Sequence, residues 1–292
     1  MSLADYFSEF NKNLLIGSTV EGNISNRYKQ ITKRLNQDFY GSESDNNHSK
    51  YVGSFGRATD IVTSDIDMIF ILPSSVYTQY NAWQSNGQSG LLQAVAKSIQ
   101  KTYSTTYLGA DGKVIKLNFS DGINYEIVPV FDLVDDTFKF PDSNNGGSWK
   151  ITNPRPEIKA ISEADTKYNG NVRRLARMAR AWKCNCDVPM GGLLIDTLAY
   201  NFMKDWSYSD KSYLYYDYLT RDFFKCLSEQ NKEQNYWYAI GSNQLIYRKG
   251  LFEAKAKKAY NLALEAIEAY NKEFYFTAKS KWREIYGNKF PS

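Results

Sequence analysis

Apolar residues recur every three to four positions in some stretches of the chain and every second position in others. Leu3, Tyr6, Phe7, Phe10 and Leu14 have helical spacing across residues 2–15. Gly17 ends that segment, and Ser18 with Glu21 three residues on predicts a capping box. The helix it would open runs through Ile24, Tyr28, Ile31, Leu35 and Phe39. Further on, the period shortens. Ile66 to Leu72 is a short, mostly apolar run with Pro73 behind it, which reads as a buried strand. Lys113 to Phe119 sets Val114, Lys116 and Asn118 against Ile115, Leu117 and Phe119. The next strand sets Ile123, Tyr125, Ile127 and Pro129 against Asn124, Glu126, Val128 and Val130. Helical spacing returns at Leu91, Leu92, Val95 and Ile99, and again at Val172, Leu175, Ala176, Ala179 and Trp182. Residues 191–203 and the aromatic-rich 212–227 read as helices, and Phe252 to Tyr286 as one long terminal helix. Residues 41–50, 74–90 and 142–148 are polar and read as loops.

One polar pair does not fit a greasy strand. Asp65 and Asp67 open the run to Leu72, and residues two apart on a strand point to one side. Two carboxylates on one face suit Mg²⁺, a hard ion that binds carboxylates together with substrate phosphates. Upstream, Gly53-Ser54 and Gly56 offer backbone N–H groups that phosphate can approach closely. A lone D-x-D is common among solvated acids. Joined to a Gly-Ser turn about ten residues earlier, it is the minimum kit for phosphoryl or nucleotidyl transfer.

The stretch GSFGRATDIVTSDID, residues 53–67, resembles the active-site signature of the DNA polymerase β-like nucleotidyltransferases. Within them it is similar to the bacterial cyclic-oligonucleotide synthases (CD-NTases), relatives of cyclic GMP–AMP synthase and 2′-5′ oligoadenylate synthetase. The resemblance covers most of the chain. The second helix resembles the family's spine helix. Glu126, ahead of Ile127-Val128-Pro129, matches the family's third metal-binding acid, where the usual residue is Asp. Trp149 to Pro154 resembles the W-x-x-T-x-P crossing to the helical lobe, which places a boundary near residue 160. LARMARAWK resembles the helix whose basic residue contacts the triphosphate, and Arg180 occupies that place.

The resemblance implies an α/β nucleotidyltransferase lobe with a twisted mixed sheet over residues 1–160. A helical lobe over 161–292 would follow, with substrate in the cleft between them. Asp65, Asp67 and Glu126 would hold two Mg²⁺ (or Mn²⁺) ions. Gly53, Ser54 and Gly56 would cradle the β/γ-phosphates, with Arg180 opposite. The product would be a cyclic di- or trinucleotide made from nucleoside triphosphates, ATP among them. Anti-phage signalling through a separate product-binding effector protein is implied by the family alone. Two other readings remain: transfer of a nucleotide to an RNA end or a small acceptor, and an inactive nucleotide sensor or RNA-binding module. Intact acids at 65, 67 and 126 argue against the last.

Composition narrows the partners. The chain has 292 residues, 42% hydrophobic and 23% charged, with a net charge of +4. That suits a binder of nucleotide polyphosphates and is too weak to predict a stable nucleic-acid partner. No apolar run approaches the length of a membrane span, so no membrane partner is expected. Three cysteines and no signal-like start predict a reducing, cytoplasmic setting. Cys184, Cys186, Cys226 and His48 lack a usual zinc spacing and read as ordinary side chains.

Overall fold

The computed structural model describes residues 2–62 and 65–292; Thr63 and Ser64, inside the signature stretch, lie outside them. In chain order it begins with α1 (Leu3–Leu14), α2 (Ser18–Tyr40), β1 (Ser49–Tyr51) and the short α3 (Gly53–Arg57). Next come β2 (Ile66–Ile71), α4 (Ser74–Asn81) and α5 (Gly87–Gln100). The strands β3 (Tyr107–Asp111), β4 (Val114–Asn118), β5 (Asn124–Asp132), β6 (Phe138–Asp142) and β7 (Ser148–Thr152) follow. The rest is helical: α6 (Pro154–Lys167), α7 (Asn171–Asn185), α8 (Gly192–Asp205) and α9 (Tyr216–Ser228). A small hairpin, β8 (Tyr236–Tyr238) and β9 (Leu245–Tyr247), precedes α10 (Glu253–Asn271) and α11 (Tyr275–Tyr286).

The chain divides into two compact units, each with its own core. The first is Ile16–Gly56 with Thr63–Pro154; the second is Met1–Leu15, Arg57–Val62 and Arg155–Ser292. The first holds a seven-stranded sheet in the order β1-β2-β5-β4-β3, with β6 joined to β5 and β7 to β6. β2 and β5 run parallel and the other pairs antiparallel, so the sheet is mixed. Alternation decides its two faces. Ile66, Met68, Phe70, Tyr125 and Ile127 turn toward α2 and α5, packing with Ile31, Leu35, Leu91, Val95 and Ile99. Ile69, Val130 and Phe138 form a small cluster on the opposite face.

The second unit is organised on α7, whose Val172, Leu175, Ala179 and Trp182 are buried as its 3.6-residue spacing predicts. α1 packs here, not with the sheet. Phe7 and Phe10 are fully buried against Trp282, Tyr286 and Phe290 at ring separations of 4.6–5.3 Å. The sequence places α1 with the catalytic lobe because it lies beside it in the chain. Its aromatic stripe instead finds the aromatic ends of the last helix. The crossing into α6 also comes at residue 154, earlier than the expected 160, with Pro154 as the first helical residue, a position where the missing N–H costs nothing.

Other local expectations change. The capping box forms at Ser2 and Asp5 of α1, whereas Gly17, without a side-chain cap, precedes α2. The long terminal helix is two, α10 and α11, turned back at Glu273, which takes a left-handed φ of 64°. The polar stretch 74–90 carries α4 and the start of α5.

Candidate active site

Asp67 lies on β2 and Glu126 on the adjacent parallel strand β5, in direct register. Strand neighbours stand about 4.8 Å apart, so both carboxylates leave the sheet side by side. Asp65, one residue before β2, belongs to the same face by period and is exposed. Its Oδ1 accepts a hydrogen bond from Asn124 Nδ2 at 3.2 Å, which ties it to the start of β5. The sheet register therefore sets Asp67 beside Glu126, and the Asn124 hydrogen bond ties Asp65 to the start of the same strand. That follows from one fact of topology: the two acidic strands are parallel neighbours.

The Gly-Ser turn reaches the same place. Gly53 opens α3 with φ +59°, a conformation in which a side chain is strained. A Cβ there would overlap the Asp67 carboxylate. Glycine at 53 thus serves twice, by conformation and by letting the turn lie against the acid. The neighbouring backbone is pinned: Val52 N–H donates to Asp67 O at 2.9 Å and Gly56 N–H to Val52 O at 2.8 Å. Ser54 sits in the first turn of α3.

β4 adds a residue that sequence reasoning passed over. Lys116 is the register partner of Glu126 on its other side, with Nζ 3.9 Å from Glu126 Oε1 and 2.8 Å from Asp111 Oδ2. The alternation of β4 puts Lys116 on a polar face, but only the strand register shows which acid it meets. Glu126 feels all of this. Half-burial raises its pKa, the Lys116 ammonium pulls it down, and the carboxylates of Asp65 and Asp111 raise it again.

The donor set is all oxygen, on one face, with carboxylates that repel one another, the composition that a hard divalent cation neutralises. Among the described residues no three His, Cys, Asp or Glu side chains are closed into a ready-made metal site. The residues weighed for zinc are not gathered either. His48 Nδ1 lies 2.7 Å from Asn36 Oδ1, its ring stacked on Tyr40 at 3.8 Å, and the three cysteines are free thiols.

Arg180 departs from its expected role as a triphosphate contact. It is 5% exposed. Its guanidinium donates to Asp196 at 2.5 and 2.9 Å and to Gly192 O at 3.1 Å, all within the helical unit. A guanidinium whose donors are consumed by a buried carboxylate is not available to phosphate. The helix pattern shows that Arg180 lies beside the apolar stripe of α7; it carries no information about Asp196 on α8.

Comparison with known proteins agrees with the fold. A family model described as the Second Messenger Oligonucleotide or Dinucleotide Synthetase domain matches residues 1–165. A probable cyclic nucleotide synthase of Bacillus cereus (strain VD146) is 23% identical over 185 residues, 58% of this chain. The match covers 52% of that protein, so the chain spans about half the length of this curated relative. Among solved structures, Escherichia coli MS115-1 CdnC with ATP gives a TM-score of 0.66 at 16% identity, over 99% of this chain and 98% of that one. Vibrio cholerae DncV cyclic AMP-GMP synthase, in complex with the linear intermediate 5′ pppA(3′,5′)pG, gives 0.70 at 12% identity, over 96% and 94%. At such identities the likeness is one of fold. No described helix is long and apolar enough to cross a membrane.

Proposed function

Since the chain belongs to the Second Messenger Oligonucleotide or Dinucleotide Synthetase family, we propose that it joins nucleoside triphosphates into a cyclic di- or trinucleotide, releasing pyrophosphate at each step. The observation that carries this reading is the register of Asp67 with Glu126, with Asp65 on the same face and Gly53 packed on Asp67. In each step a ribose hydroxyl oxygen forms a bond to an α-phosphorus. The bond from that phosphorus to the α–β bridging oxygen breaks, and the hydroxyl proton passes to solvent. Asp65, Asp67 and Glu126 would hold the divalent ions, Mg²⁺ or Mn²⁺; when bound, these supply Lewis acidity at the α-phosphate and offset the charge of the departing pyrophosphate. The chain's own part is positioning. The backbone of Gly53, Ser54 and Gly56 would receive the β/γ-phosphates, and the pairing of β2 with β5 would keep Asp67 and Glu126 side by side. No protein nucleophile is required.

ATP is the first substrate to test. CdnC was solved with ATP, and the DncV intermediate begins with an adenosine triphosphate. A cytoplasmic role in anti-phage signalling, with a separate effector protein binding the product, rests on the family alone. Pyrophosphate release from each of the four triphosphates, with Mg²⁺ or Mn²⁺, tests the transfer chemistry. Release is expected from the wild-type protein and none from Asp65→Asn or Asp67→Asn, both still folded. Near-normal release from both variants would place the reaction elsewhere.

A further inference from the structure

Asp196, on α8, has no solvent exposure, and four hydrogen bonds meet on it. Arg57 Nε donates to it at 2.8 Å, Thr59 Oγ1 at 3.0 Å, and both terminal nitrogens of Arg180 on α7 at 2.5 and 2.9 Å. Arg57 also reaches Glu157 at 3.4 Å, and Glu157 accepts from Ser242 Oγ at 2.9 Å. Two more arginines of α7 grip the same segment by its backbone. Arg173 Nε donates to Arg57 O at 3.1 Å; Arg177 donates to Ala58 O at 2.7 Å and to Asp60 O at 3.2 Å. Arg173, Arg177 and Arg180 are spaced to share one side of their helix. Each of Arg173, Arg177 and Arg180 thus acts on residues 57–60 or on Asp196, and Arg173 also pairs with Asp165 at 3.3 Å.

A buried ion network is a poor way to gain stability, because desolvation offsets most of the attraction; its clearer effect is to specify one arrangement. Here the arrangement is a costly one. Ala58 is held at φ +54°, a left-handed conformation that a residue with a Cβ adopts reluctantly. The segment lies in the chain between Gly53–Gly56 and Asp65–Asp67, the two halves of the proposed site.

We infer that Arg173, Arg177 and Arg180, the last through Asp196, are positioning residues that clamp residues 57–60, the stretch of chain that links the phosphate turn to the acid pair. This rests on the nucleotidyltransferase reading for its catalytic consequence, and on the hydrogen bonds alone for the clamp.

Asp196 is a poor residue to test, because its loss would leave Arg180 buried without a counter-charge and Arg57 with Glu157 alone. Arg177 is better, and the same helix supplies a control. Arg174 donates instead to Asn169 O at 2.9 Å and Asn171 Oδ1 at 3.3 Å. Arg177→Met, Arg177→Lys and Arg174→Met would be compared by melting temperature, by hydrogen exchange of peptides covering residues 53–62, and by pyrophosphate release well below the melting point. Arg177→Met is expected to exchange faster in those peptides and to lose turnover by up to about 10²-fold, the scale of an ångström-level misplacement. Arg177→Lys should recover part of both, since an ammonium can still reach one carbonyl. Arg174→Met should melt lower by a similar amount and change neither. Unchanged exchange in Arg177→Met overturns the clamp. Faster exchange with wild-type turnover overturns its catalytic role, as does an equal loss of turnover in Arg174→Met. A wild-type protein silent with all four triphosphates sinks the nucleotidyltransferase reading instead, and exchange then decides the clamp by itself.

Discussion

Glu126 is where two uses of one carboxylate compete. Burial and the neighbouring Asp65 favour its neutral form, while Lys116 at 3.9 Å favours the charged one. An ion pair needs only a charge at about the right place; a Mg²⁺ ligand needs an oxygen at about 2.1 Å with little tolerance. Glu126→Gln keeps length and loses charge, so the ligand role predicts near-complete loss of pyrophosphate release with little change in melting temperature. Glu126→Asp shortens the side chain in a backbone fitted to Glu and should keep partial activity, improved by the larger Mn²⁺. If Glu126 serves only Lys116, Glu126→Gln and Lys116→Met will both turn over like wild type, and Asp132, at the end of β5, becomes the acid to test. Asp65 and Asp67 were legible as a pair because a two-residue period assigns faces without knowing the partner strand, whereas Glu126 was joined to them only through the family resemblance. Lys116, Arg57, Thr59 and Asp196 were not, because each matters through a contact outside its own element, which no local period encodes.

The elements show the same division. β2, β4 and β5 announce themselves through apolar runs or alternation, and α7 through its stripe. β6, β7 and the β8–β9 hairpin are short, and α4 has no buried residue, so none leaves a periodic trace. The reversal between α10 and α11 was hidden for a different reason: no glycine or proline marks it. Glu273 takes a left-handed φ of 64°, which suits glycine better by roughly 1 kcal/mol. Glu273→Gly should therefore raise the melting temperature by a few degrees and leave turnover unchanged; a lower melting temperature would mean that the Glu273 side chain itself holds the turn. On β6, Asp142 is buried and its pKa falls to about 2. The main cause is a hydrogen bond from Lys150 Nζ on β7, helped by the Asn144 N–H and side chain and by Lys113. A carboxylate whose pKa is lower folded than unfolded adds stability above its unfolded value near 3.8, and loses it as pH falls toward 2. Thermal melts should find Asp142→Asn less stable than wild type at pH 6, with the gap closing between pH 4 and 2. A gap independent of pH would show that Asp142 acts by shape and not by charge.

At the scale of the molecule, the chain folds as two units whose cores do not share a residue, and it passes between them more than once. The mixed sheet and the helical unit were both legible, because strands concentrate before residue 154 and helices after it. Their membership was not: Phe7 and Phe10 choose Trp282 and Phe290, and residues 57–62 belong with α7. What the whole assembly is for reduces to one claim, that two or more nucleotides leave it joined in a ring. The direct measurement is incubation with all four nucleoside triphosphates and Mg²⁺ or Mn²⁺, phosphatase treatment, and mass spectrometry of what survives. The account predicts a phosphatase-resistant cyclic di- or trinucleotide containing adenine, absent from Asp67→Asn. Linear oligomers or a modified RNA end as the sole product would contradict ring closure while leaving nucleotidyl transfer in place; no product and no nucleotide binding would contradict both.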